Sequence, residues 1–169
     1  RPKRVQWHGV PPGSSQGGTQ RKPFLLSAIA DVTKTPEETF ALIDRKHSLP
    51  EQYFTHSVCL LAFHYFCNDA TTMGNALGFI SRSLQKGGRF GIILYDGKKI
   101  RDLMDGKKMT TQFPFGEEMC LRKNYDQYSK FGSKIGVRLP FSGSVFYEEN
   151  IVVINDHIKA FQDHNLYLV

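Results

Sequence analysis

The sequence predicts an α/β protein built on a parallel sheet, with an antiparallel β insertion toward the carboxyl end. Two apolar runs, residues 58–62 and 90–94, flank a segment of helical spacing that closes on Gly87-Gly88. Buried strands joined through a helix run parallel, with a right-handed crossover. From residue 107 to 147 the apolar runs shorten and turn residues separate them, which is the pattern of antiparallel strands.

Each element has a local reason. Residues 1–23 form a basic arm or linker, since 8–20 are rich in Gly, Pro and Ser and carry one clearly apolar residue, Val10. Gly13 to Thr19 fits the frame of a phosphate-binding loop, but threonine stands where lysine is needed and no strand precedes it. The ordered domain is expected over 24–169. Its first strand, 24–30, ends at Asp31. Thr35-Pro36-Glu37-Glu38 supplies a cap, a proline at the first helical position and acids in the first turn, so a helix runs to about Lys46. Leu49-Pro50 breaks it.

A second strand is expected over 56–64. Asp69 then caps a helix whose Met73, Leu77, Ile80 and Leu84 share one face, and Gly87-Gly88 ends it. Strand 89–95 follows, and Asp96-Gly97 turns into a short helix over 98–104. Antiparallel strands are expected over 109–115, 119–125, 135–139 and 144–147. Asn155 is expected to cap a last helix holding Ile158, Ala160 and Phe161, and 166–169 read as a strand.

The totals narrow the function classes. At 169 residues and 19.2 kDa the chain holds one domain with a core. No apolar run approaches the roughly 20 residues that cross a bilayer, and the first residues lack the apolar stretch of a signal peptide. Three cysteines (Cys59, Cys67 and Cys120) without a C-x-x-C pair suggest neither disulfides nor a zinc site, and an intracellular setting is expected. The net charge of +6 is concentrated early: Arg1, Lys3, Arg4, Arg21 and Lys22 face no acid before residue 31. Such an arm either lies along a phosphate backbone or is a solvated lead-in.

Five residues draw attention by type and place. Asp31, at a strand end, either accepts hydrogen bonds from a nucleoside or caps a turn. His64 and Tyr65, adjacent on a strand, point to opposite faces, and the strand end lets both border one cleft. With Phe63 and Phe66 they either make a pocket for a planar base or pack in the core. The paired acids Glu148 and Glu149 follow the apolar and aromatic residues 145–147, and either one of them accepts from the N1–H and N2–H2 donors of guanine or the pair belongs to a solvated turn. Cys59 and Cys67 read as core thiols. The sequence holds no G-x-S-x-G, no H-E-x-x-H and no His/Cys metal cluster.

Residues 53–66, with Ala62, His64 and Tyr65, resemble the motif F-D-x-x-S-x-Q-F-A-x-H-Y-x-F of messenger-RNA cap guanine-N7 methyltransferases. Residues 77–90, with Ser81, Leu84, Gly87, Gly88 and Phe90, resemble the following L-x-N-x-S-x-x-L-x-x-G-G-x-F helix. Residues 29–34 are similar to the family's G-D-x-x-K segment. Residues 149–152 stand where it carries E-Y-L-V, and 95–100 look closest to versions from large DNA viruses. The resemblance covers about 24–169 and is most specific over 53–97.

It implies a partial Rossmann-like class I methyltransferase sheet, with 107–147 as a cap-side insertion. It also implies methyl transfer from S-adenosylmethionine to N7 of the cap guanine. Asp31 would meet the cofactor's adenine, Leu60 would stand on the cofactor side in place of a glutamine, and Tyr65 would line the donor site. His64 and Glu149 would hold the cap guanine. The implied partners are the capped 5′ end of mRNA, with upstream capping domains or a stimulatory subunit, and no membrane. The implied location is cytoplasmic if viral and nuclear if cellular.

Residues 1–23 match neither the family's first strand nor its glycine-rich loop, so a carboxyl-terminal piece or a lost donor site is expected. Leu60 and Leu61 also replace the family's glutamine and phenylalanine, and Asn150 its tyrosine. A non-catalytic module of a capping complex is the alternative, and a general RNA-binding domain is a third.

Overall fold

The computed structural model describes residues 30–47, 51–106, 109–111 and 119–169. The expected arm and nearly all of the strand over 24–30 lie outside them. The described chain is mixed α/β: a two-stranded parallel sheet beside a four-stranded antiparallel sheet.

Helix α1, Pro36–His47, begins as its sequence requires. Thr35 Oγ1 accepts from the Glu38 N–H, and Glu38 Oε2 accepts from the Thr35 N–H, a reciprocal cap. Strand β1, Phe54–Leu60, is followed by a 3-10 turn, Phe63–Phe66, and helix α2, Ala70–Ser83. Asp69 caps α2 by accepting from the Thr72 N–H at 2.7 Å. Strand β2, Leu84–Ile93, lies parallel to β1.

The helix ends before Gly87-Gly88, contrary to expectation. Leu84 is already extended, buried, and opposite Phe54. The two glycines lie in the irregular stretch before Arg89 joins His56, and Gly87 has φ +78°.

Helix α3, Gly97–Met104, is capped by Asp96 and leads into the antiparallel sheet. Its strands are β3, Met109–Thr111, β4, Cys120–Lys123, β5, Lys134–Arg138, and β6, Tyr147–Asn150, in sequence order. Thus β6 starts at Tyr147, where a strand was expected to end, and Glu148 and Glu149 lie within it. Two further 3-10 turns are Pro140–Ser142 and Ile154–His157, and the latter runs into α4, Ile158–Asp163. Asn155 caps neither element, because Val153 and His157 hold the cap positions. Residues 166–169 form no strand.

Two cores result. In one, Phe63, Cys67, Met73 and Leu77 pack with Phe90, Ile92 and Phe161, joining α2 and the turn to one face of the parallel sheet. In the other, Ile100 and Met104 of α3 pack on Leu121, Ile135 and Val137 of the antiparallel sheet. Each fully buried Leu, Ile or Phe contributes roughly 1.5–3 kcal/mol.

Residues 151–153 stitch the cores together. Ile151 and Val153 enter the second core and Val152 the first, the alternation of an extended chain between two layers. Gly97 fits against this segment only because it lacks a side chain. A Cβ there would stand 2.2 Å from the Val152 carbonyl oxygen. The parallel sheet's other face is bare among the described residues, with Val58, Leu60 and Ile93 exposed at 63%, 60% and 57%.

Candidate functional site

The site forms where β1 stops. Leu61 takes φ +50°, a left-handed conformation that is costly for a branched side chain, while its N–H still donates to the Ile93 carbonyl at 2.7 Å. The chain leaves the strand there and winds into the 3-10 turn. His64 and Tyr65 therefore sit on a turn with three residues per repeat, not on a strand with opposed faces, which corrects the sequence expectation. The Cys67 N–H donates back to the His64 carbonyl at 3.2 Å. Phe63 and Cys67 face the core, so His64 turns toward β6 and Tyr65 outward.

His64 and Glu149 meet across this gap. Their Nε2 and Oε2 atoms are 3.8 Å apart, with side chains only 5% and 11% exposed. That distance is too long for a hydrogen bond. Among the described residues, both His64 ring nitrogens, Glu149 Oε2 and Asn150 Oδ1 are buried without hydrogen-bond partners. Unsatisfied buried polar atoms are rare in native proteins, and here four converge on one place.

Burial pushes the His64 imidazole below its ordinary value and the Glu149 carboxyl above it, because each loses water that would solvate its charge. Asn150 donates its amide N–H to the His64 carbonyl at 2.9 Å, tying β6 to the turn. The recess they share is about 260 Å3 with its open mouth, and Tyr95, Gly97, Ile100 and Ile135 also line it. The Tyr65 ring lies 4.0 Å from the His64 ring, half exposed.

Two residues that the sequence reading passed over complete the site. Asn150, noted only as a departure from the family's tyrosine, anchors the turn. Tyr95 lines the recess, and burial, then the nearby Glu149 charge, push its phenol up. Its signal was available: it follows β2 on the sheet edge where β1 delivers His64.

Asp31 and Leu60 stand apart. Asp31 Oδ1 accepts from the Thr33 N–H at 3.0 Å and the Thr33 hydroxyl at 2.6 Å, and the carboxyl is held below its usual range chiefly by those bonds. This is an Asx turn, and it closes before α1 begins. Leu60 ends β1 opposite Ile93 on the bare face. No described contact joins Asp31 to Leu60, Tyr65 or the recess, and neither residue offers an orphaned polar atom. The described residues therefore do not assemble a site fitting S-adenosylmethionine.

Other chemistry is not collected in the described region. The cysteines are free, and burial, then the nearby Cys59, raises the Cys67 thiol to about 12, which leaves it protonated and inert. No group of three His, Cys, Asp or Glu side chains could hold a metal, and no helix is long and apolar enough to cross a membrane, among the described residues. No family model matches the chain, and no curated protein does either.

Proposed function

We propose that the recess binds the guanine of an mRNA cap, and that the chain is the acceptor side of a Rossmann-like guanine-N7 methyltransferase domain. The observation that carries this reading is the set of orphaned buried atoms on His64, Glu149 and Asn150. Guanine presents N1–H and N2–H2 as adjacent donors, and a carboxylate accepts both. A neutral imidazole supplies one donor and one acceptor. The recess has room for little more than a water, so the purine presents its edge from the mouth, beside Tyr65.

Methylation at N7 asks little further of the chain. N7 carries a free lone pair and loses no proton, so holding the base still is the main contribution. Glu149 and the Tyr65 ring also suit a purine that becomes cationic. The self-satisfied Asp31 favours a second reading: a non-catalytic relative that binds the cap within a capping complex.

Calorimetry on the full chain separates the two. Binding of a cap analogue, with loss of at least tenfold in Glu149→Ala, supports the guanine site. Methyl transfer from S-adenosylmethionine by the same chain selects the enzyme, and cap binding without donor binding selects the module. If the cap analogue does not bind at any concentration tested, both fail.

A further inference from the structure

The antiparallel sheet has two faces, and α3 covers only one. On the other, strand pairing sets Arg122, Gly136 and Glu148 in a row across β4, β5 and β6. Gly136 is the reason this row is flat. A Cβ there would stand 3.1 Å from the Phe146 ring and 3.3 Å from Arg122 Nε, so both lie directly on the glycine. The Arg122 guanidinium sits 4.5 Å over the Phe146 ring, and that of Arg138 lies 5.9 Å from it. Lys134 adds a further positive charge, 3.6 Å from Glu148. Among the described residues, Arg122, Lys134, Arg138 and Glu148 thus surround an aromatic ring stacked with guanidinium.

We propose that this face binds single-stranded RNA, the nucleotides that follow the base held in the recess. Arg122 and Lys134 meet backbone phosphates, and a base stacks on the Phe146–Arg122 layer. Flat aromatic and guanidinium surfaces bordered by cations are how proteins hold single strands without reading sequence. The path is short. β6 is the edge of the sheet, with Glu149 turned to the recess and Glu148 to the outer face, so a strand leaving the recess crosses a single β-strand. The direction of the path rests on the cap reading, whereas the affinity of the face does not.

The test is fluorescence anisotropy of the full chain with a labelled uncapped oligouridylate across a salt series, beside calorimetry with a cap dinucleotide. Arg122→Gln is expected to weaken RNA binding several-fold and to flatten the log–log salt slope by about 0.7, the value of one lost phosphate contact on a single strand. Arg122→Lys restores the slope. Phe146→Leu, which keeps an apolar side chain on Gly136, is expected to weaken binding about tenfold without changing the slope. Cap dinucleotide binding stays at the parent value in all three.

RNA affinity and slope unchanged in Arg122→Gln and Phe146→Leu would overturn the proposal. That result would place the contact on the basic residues before position 23, or give the face to a protein partner. RNA binding that responds to these variants without any cap binding would support this face and sink the recess reading. Cap binding without RNA binding would do the reverse.

Discussion

The recess around His64 and the turn around Asp31 each hold a carboxylate, and the two carboxylates are in opposite states. Glu149 is nearly enclosed, with an oxygen that bonds to nothing, and faces an imidazole in the same condition. Asp31 is exposed, and its bonds close locally on Thr33. A buried orphan acceptor carries a desolvation penalty of about 1–3 kcal/mol, which a ligand's donors can relieve. An exposed acceptor satisfied by its own turn carries no such penalty. In the proposed reading, the acceptor side of a methyl transfer is therefore assembled in the described chain, and the donor side is not.

Four substitutions test that contrast, beginning with the one of largest effect. Gly97→Ala puts a methyl group on the Val152 carbonyl, which cannot move without disturbing both cores. A loss of about 3 kcal/mol or more is expected, near 9 °C in melting temperature, with cap binding lost as well. A melt within about 2 °C of the parent would show that the seam through residues 151–153 yields easily.

Glu149→Gln is expected to act oppositely on stability and binding. The native Glu149 carboxyl ionises above its ordinary 4.5, so the folded state holds its proton longer than the unfolded chain. Stability from this group is present at acid pH and lost as pH rises through the raised value. The glutamine variant should therefore melt about 3 °C higher than the parent at pH 7.5, with the gap closing below about pH 4. Cap binding by the parent, which needs the carboxylate, should strengthen over the same rise in pH and be weak throughout in the variant. A gap that widens toward acid would mean that Glu149 is ion-paired in the native state and would break the contrast.

Leu61→Gly removes a left-handed branched residue whose side chain is half exposed. Thermal melts should show it neutral to about 1 kcal/mol more stable, against the usual direction of a leucine truncation. Asp31→Asn should change least, by less than about 0.5 kcal/mol, because an asparagine oxygen also closes an Asx turn. Its effect on cap binding should be nil. A tenfold loss there would tie Asp31 to the recess after all.

Much of the fold could be read from local chemistry. The Thr35 and Asp69 caps and the face of α2 each follow from residues within a few positions of one another, and the parallel pairing from two apolar runs joined through a helix. What misled was the priority of long-range pairing. Gly87-Gly88 reads as a helix end, yet Leu84 leaves the helix first because Phe54 waits beside it, thirty residues earlier. The antiparallel strands were readable as a class but not in register, since cross-strand partners such as Ile135 and Glu149 are set by tertiary packing.

The site shows the same division. His64 and Glu149 stood out as residue types at suggestive places. Their 3.8 Å approach, the Asn150 tether and the Tyr95 wall all depend on β6 meeting the turn, which no local pattern encodes. Asp31 shows the reverse case, in which the modest reading, a turn-forming aspartate, describes the bonds it makes.

Leu61 also bears on how the chain tolerates changes of length. Upstream of it, side chains repeat every two residues, and downstream every three. A residue inserted in β1 would exchange the faces of the strand before the bend, moving Cys59 out of the core and Val58 or Leu60 in. A residue inserted between Leu61 and His64 would leave β1 paired and turn the imidazole by about 120° away from Glu149. Lengthening the chain by one residue on either side of a single left-handed bend should therefore have separable outcomes, a damaged core in one case and a folded protein with an emptied recess in the other.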